Sequence, residues 1–144
     1  MSAFKKRIRA SVVCIHGGRI LVFKGIDPHS EETYWFLPGG KIEDGEKPWE
    51  CAERETFEET GYRVGVIKES EIIKKYEHPW NGENHDCATF FYIGILSEPW
   101  RPPVPVHDAD YNKGAEWLPL EIALEFFSYK KEIRDAVIEL SETE

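Results

Sequence analysis

The chain has 144 residues, enough for one domain with a single core around a small molecule. Hydrophobic residues make up 41% and aromatics 13%, which excludes a chain disordered over most of its length. Eighteen basic residues against 27 acidic ones give a formal charge of −9, which argues against coating a nucleic-acid backbone but allows a phosphate compound to be approached through a cation.

In chain order, Arg9 to Lys24 reads as two β-branched strands joined at "HGGR", where Gly17-Gly18 suits a tight hairpin. The basic cluster before it, Lys5, Lys6, Arg7 and Arg9, reads as a solvated start to the first strand rather than a nucleic-acid arm. A polar loop, "GIDPHSEET", leads to "YWFLPGG", a short buried strand running into a glycine turn. "KPWECAERETFEETG" has helical punctuation, with Pro48 in the first turn and Gly61 just past the end, although Lys47 is a poor N-cap. "YRVGVI", "EIIKKYEH", "ATFFYIGIL" and "GAEWLPL" read as strands, and Leu120 to Leu140 as helix in two pieces. Strands on both sides of a central helix, with further helix at the end, predict an α/β sandwich on a mixed sheet, residues 1–144 forming one domain.

Cys14, Cys51 and Cys87 are odd in number and widely spaced, so they predict neither a disulfide framework nor a C-x-x-C metal site, and a reducing, cytoplasmic compartment is expected. "ASVVCI" is too short for a signal-peptide core, and no apolar run reaches the length of a membrane span. A homodimer is compatible with the sequence.

Between Glu43 and Glu59 stand eight acidic residues against Lys47 and Arg54. Helical spacing puts Glu55 and Glu59 on adjacent turns of one face with Glu58 beside them, while Trp49, Ala52 and Thr56 form a neighbouring stripe that can meet a sheet. Like charges at that spacing, near a helix C-terminus, destabilise the helix. The cluster becomes favourable when a hard divalent cation neutralises it, and Mg²⁺ characteristically takes a few carboxylates together with waters and phosphate oxygens. A solvated acidic face with local pairs such as Arg54 and Glu58 is the bland alternative.

The segment "GKIEDGEKPWECAERETFEETGY" resembles the Nudix box: Gly40, Glu46, Arg54, Glu55, Glu58, Glu59 and Gly61 all stand at its spacing. Seven fixed positions coincide by chance about once in 10⁸ placements at ordinary residue frequencies. Thr56 and Tyr62 stand where the pattern prefers an aliphatic residue, and both look like packing positions. "LPGG" and "EWLPLEIA" extend the resemblance over most of the chain.

The resemblance implies a Nudix-like α/β/α sandwich in which the catalytic helix follows a glycine turn. It also implies Mg²⁺- or Mn²⁺-dependent hydrolysis of the diphosphate linkage in a nucleoside diphosphate joined to another group. It casts Glu55, Glu58, Glu59 and the carbonyl of Gly40 as metal ligands, Arg54 as the residue that orients the glutamates, and Glu46 as a brace. Lys41, directly after the glycine turn, can reach a phosphate as a point charge, and Lys24 resembles a phosphate-binding basic residue of the family. For the general base the loop "VPVHDADYNKG" offers His107, Asp108 and Asp110, of which Asp110 is favoured on its spacing to Trp117, with a box glutamate as the alternative.

Trp80 is a candidate for stacking on a base, while His78 and His85 are expected to face solvent around a Pro/Asn/Gly loop. Cys51 has no evident base beside it and is expected to pack. Two readings stand behind the first: an RNA 5′-end pyrophosphohydrolase, and a catalytically silent nucleotide-binding domain. Pro79 is a weak hint of ADP-ribose activity, since one proline in a loop is more often turn chemistry.

Overall fold

The computed structural model describes residues 5–143. Strands β1 (Lys5–His16) and β2 (Arg19–Ile26) form the expected hairpin, with Gly17 and Gly18 both at positive φ as a primed turn requires. They pair only at Ile15↔Ile20 and His16↔Arg19. Further from the turn β1 leaves β2. It runs parallel to β6 (Glu83–Leu96), from Lys5↔His85 to Cys14↔Gly94, and antiparallel to the short β4 (Gly39–Lys41).

Strand β2 instead pairs with β3 (Thr33–Phe36) and β7 (Asn112–Pro119). With β5 (Val64–Trp80) the path reads β3-β2-β1-β6-β5, β4 lying on β1 and β7 on β2. One parallel pair among antiparallel ones makes the sheet mixed, as expected. The divergence of β1 from β2 opens a space between them, and a cavity occupies it.

Period-2 alternation sorts the strand residues into two cores. Ala10, Val12, Cys14 and Leu21 pack with Cys51 and Ala52 of helix α1 (Pro48–Thr60). Val13, Ile20 and Val22 pack on the opposite face with Ala123 of α2 (Leu120–Phe126), Phe127 of a following 3-10 turn, and Ala136, Val137 and Leu140 of α3 (Lys131–Thr143). Val12 and Val13 are both fully buried, each side chain contributing about 1.5–3 kcal/mol. The result is an α/β/α sandwich, and the C-terminal helix is in two pieces.

Helix α1 begins without a side-chain cap from Lys47; instead the Glu50 carboxylate accepts the Lys47 N–H at 2.8 Å. It ends at Gly61, in the left-handed conformation.

Two local expectations are corrected. "YRVGVI" and "EIIKKYEH" belong to one strand, β5, interrupted by an irregularity between Ile67 and Ile72. The segment around Asn81 is not an open loop. Asn81 and Gly82, both at positive φ, make a tight turn that lets β5 and β6 pair out to Trp80↔Glu83.

Candidate active site

Helix α1 reaches the site because β4 is almost bare backbone. A Cβ on Gly39 would strike Ser11 and the carbonyl of Ala10, and one on Gly40 would overlap the carboxylate of Glu55. The Cys51 thiol lies 3.5 and 3.4 Å from the carbonyls of Gly40 and Lys41, and burial pushes its pKa up to about 12, so it packs as expected. Ala52, Thr56 and Thr60 are fully buried along the same helix, the two threonines closing on the carbonyls of Ala52 and Thr56.

Arg54 is the hub of the carboxylates. Its Nε and Nη2 donate to the two oxygens of Glu46 at 2.7 and 3.0 Å. Nη1 donates to Glu55 at 3.0 Å and to Glu58 at 3.0 and 3.2 Å, while Nη2 also reaches the Lys41 carbonyl at 3.3 Å. Glu46 in turn accepts the Glu43 N–H at 3.0 Å, which braces the loop.

The acidic face proves not to be a solvent face throughout. Glu59 is only 3% exposed and accepts the Gly39 N–H at 2.7 Å. Burial, and then the charge of Glu55, hold its carboxyl well above the ordinary value. Burial also raises the carboxyl of Glu55, against the pull of Arg54.

Glu55 and Glu59 form one end of a cavity of about 260 Å³ that also takes in Gly39, Gly40 and Lys41. Arg7 and Arg9 of β1 line it, together with an aromatic group including Phe36, His78, Trp80 and Tyr111. Trp80 meets Phe36 and Tyr111 edge-on, each at 5.3 Å between ring centroids.

The remaining sequence candidates fall outside the lining. Glu58 is held at the helix surface by Arg54, its side chain 47% exposed. Lys24 follows Phe23, which faces the cavity; alternation turns Lys24 to the other side, beside Trp35, where it is exposed. Asp110 is exposed and lines no part of the cavity. Asp108 is the nearer acid, adding to the upward push on Glu59. Its carboxylate accepts from Asn112 Nδ2 at 2.9 Å, and the same amide donates to the Glu59 carbonyl at 3.0 Å.

His78 and His85 are corrected from solvent-facing to cavity-lining, because the hairpin continues where a loop was expected. Burial lowers His78 to about 4, so its imidazole is neutral near pH 7. Arg7 and Arg9 were legible only as basic strand residues; their alternation with Ile8, 57% exposed, and buried Ala10 is the signal that they share a face.

Among the described residues no three His, Cys, Asp or Glu side chains stand as a ready-made metal cage. The donor chemistry nevertheless fits a hard divalent cation: carboxylate oxygens and a backbone carbonyl. Arg54 Nη1 bridges Glu55 and Glu58 and so holds the two carboxylates near one another. The overlap that a Cβ on Gly40 would make shows how closely that strand adjoins the Glu55 carboxylate. No helix among the described residues is long and apolar enough to cross a membrane.

The NUDIX domain family model matches residues 5–139. A curated RNA pyrophosphohydrolase of Bartonella henselae is 30% identical over 139 residues, covering 87% of this chain and 74% of the relative. That of Mesorhizobium japonicum is 32% identical, covering 74% and 73%. Among solved structures, a NUDIX hydrolase from Nitrosomonas europaea superposes with a TM-score of 0.70 at 19% identity, over 96% of this chain and 90% of that one. A C. elegans Ap4A hydrolase gives 0.70 at 19%, over 95% and 96%. The chain therefore belongs to the Nudix family, as an enzyme of its pyrophosphohydrolase class.

Proposed function

We propose that the protein hydrolyses, with a divalent metal such as Mg²⁺ or Mn²⁺, the diphosphate linkage of a nucleoside diphosphate joined to another group. The observation that carries this reading is the placement of Glu55 and Glu59 at one end of a cavity whose other lining is cationic and aromatic. Glu55, Glu58, Glu59 and the Gly40 carbonyl would hold the metal. When bound, such an ion neutralises phosphoryl oxygens and activates water.

The protein's own groups do the rest. Arg54 fixes Glu55 and Glu58 in orientation through Nη1. Lys41 lines the cavity next to Gly40, where its ammonium can meet a phosphate. Trp80 and its neighbours present ring faces on which a base can stack. Glu55 faces the cavity, where its carboxylate can take the proton of the attacking water. These observations favour a box glutamate over Asp110 as the general base. The three cysteines, buried and odd in number, support a reducing, cytoplasmic setting.

Action on the 5′ end of RNA is a second reading. It is supported by the activity named for the curated relatives and by the basic run from Lys5 to Arg9, whose two arginines enter the cavity. The charge of −9 weighs against a long RNA footprint. The test is product analysis with nucleoside triphosphates, NDP-sugars, ADP-ribose, dinucleoside polyphosphates and capped or triphosphorylated RNA, with Mg²⁺ and with EDTA. Metal-dependent cleavage of a diphosphate linkage supports the reading; turnover that EDTA leaves unchanged contradicts it.

A further inference from the structure

Two histidines of the cavity have no part in the hydrolysis as derived so far. His78 and His85 stand directly opposite each other on β5 and β6, so their side chains rise from the same face of the sheet, and both line the cavity. Each ring carries a buried nitrogen without a hydrogen-bond partner, Nε2 of His78 and Nδ1 of His85. Buried polar atoms are as a rule paired, and two orphans on one cross-strand pair point to a ligand that completes them.

The rings are held in place. His78 lies among Tyr34, Phe36, Trp80 and Tyr129, at centroid distances of 5.9, 6.4, 6.3 and 6.0 Å. His85 is only 9% exposed. Burial first, then the charge of Arg9 for His78 and of Arg7 for His85, lowers both imidazoles. Both are therefore neutral near pH 7, each with one N–H and one lone pair.

This limits what they can bind. A hydrogen bond to the Trp80 backbone, which draws a proton onto His85, takes the nitrogen other than the unpartnered Nδ1, so Nδ1 offers its lone pair. A phosphate or carbonyl oxygen only accepts, and would face that lone pair without a proton between them. An exocyclic amino group beside a ring nitrogen, the edge of adenine or cytosine, fits instead. One of its N–H groups meets His85 Nδ1. His78 Nε2 then takes the second N–H or donates to the ring nitrogen, so either tautomer of His78 is served. Trp80, Phe36 and Tyr111 bring aromatic rings to the same lining, where a planar heterocycle can pack.

We propose that His78 and His85 read the edge of the nucleobase and select one that carries an exocyclic amino group beside a ring nitrogen; this rests on the proposed function in taking the ligand to be a nucleotide.

The test is equilibrium binding in EDTA, so that it does not depend on turnover. ADP is compared with IDP, and CDP with UDP, pairs in which a carbonyl replaces the amino group. The amino member of at least one pair should bind about tenfold or more tightly, as expected when the other leaves a buried polar group unpaired. His85→Leu should weaken that member by about 10–100-fold and its carbonyl counterpart little. His85→Asn, whose side-chain oxygen stands near the position of Nδ1, should recover part of the preference, and His78→Gln should retain more of it than His78→Leu. Melting curves establish that each variant is folded, and the wild-type comparison decides the matter without them.

Equal affinities within both pairs, tighter binding of the carbonyl members, or no binding of any of the four would overturn the proposal. So would variants that weaken ADP and IDP alike, which would place the histidines on the sugar or the phosphates that the two share. An amino preference in a protein that hydrolyses no diphosphate linkage with Mg²⁺ would instead leave the proposal standing and sink the hydrolase reading alone.

Discussion

Arg54 and Glu46 meet through two parallel hydrogen bonds, Nε to Oε2 at 2.7 Å and Nη2 to Oε1 at 3.0 Å. The fork ties helix α1 to the loop before it and leaves Nη1 free to hold Glu55 and Glu58. Lysine offers a point charge and no fork, so Arg54→Lys should retain the fold and lower kcat by about 10–100-fold, the loss typical of a group that orients metal ligands. An Arg54→Lys variant at wild-type rate contradicts this role. The hydrogen bond from Arg54, outweighing burial, lowers the Glu46 carboxyl, so its contribution to stability is present above the unfolded pKa and is lost as pH falls through the folded one.

Glu59 behaves in the opposite sense. Its raised carboxyl makes its contribution full below the unfolded pKa and progressively lost as pH rises through the folded value. In EDTA, Glu59→Gln should therefore gain in melting temperature over the wild type as pH is raised from 5 to 8. If Mg²⁺ is the ion of the proposed site, it should raise the wild-type melting temperature by favouring the native state while leaving Glu55→Gln/Glu59→Gln nearly unmoved. Equal Mg²⁺ shifts in both would show that these carboxylates do not bind the ion.

Asp27 fastens the aromatic lining of the cavity. It is 4% exposed and accepts N–H groups from His29 at 2.8 Å, Ser30 at 3.3 Å and, across the fold, Asn81 at 3.1 Å. These bonds, winning over burial, hold its carboxyl low. Asp27→Ala strands three donors and should cost about 1–3 kcal/mol. Because Asn81 follows Trp80, KM should rise more than kcat falls, with Asp27→Asn recovering part of both. A variant with unchanged melting temperature and KM would remove Asp27 from this role.

On the proposed reading Lys41 and Trp80, both in the cavity lining, divide the substrate between them. Lys41→Ala should weaken all substrates together, by about 10–150-fold in kcat/KM, since it adjoins the linkage they share. Trp80→Ala should reorder them, because base stacking is worth about 1–3 kcal/mol and acts only on ligands that reach it. Uniform slowing by Trp80→Ala with reordering by Lys41→Ala would invert the placement of phosphate and base.

What the sequence made legible follows from what is local. The box residues are contiguous, and a helix period with a glycine at each end places Glu55, Glu58, Glu59 and Arg54 without knowledge of the rest of the fold. The hairpin at Gly17-Gly18 and the two-piece C-terminal helix were legible for the same reason. The cationic lining was not. Arg7 and Arg9 look like any basic strand start until β1 leaves β2 to pair with β4 and β6, a choice made by residues far away in sequence. His78 changed sides because Asn81-Gly82 makes a hairpin rather than a loop. Lys24 and Asp110 were placed by resemblance, and strand alternation and an exposed loop keep them out of the cavity lining.

Glu58 carries the central claim, since among the described residues its carboxylate is hydrogen-bonded to Arg54 and half exposed, so it can be neutralised without disturbing the core. The direct measurement is the rate of diphosphate hydrolysis against Mg²⁺ concentration for the wild type and Glu58→Gln, with melting curves to confirm that both are folded. Metal-dependent turnover in the wild type, lowered by about 10²–10⁴-fold in Glu58→Gln, is the predicted result. Turnover that persists in EDTA, or a Glu58→Gln enzyme as fast as the wild type at every Mg²⁺ concentration, would contradict it.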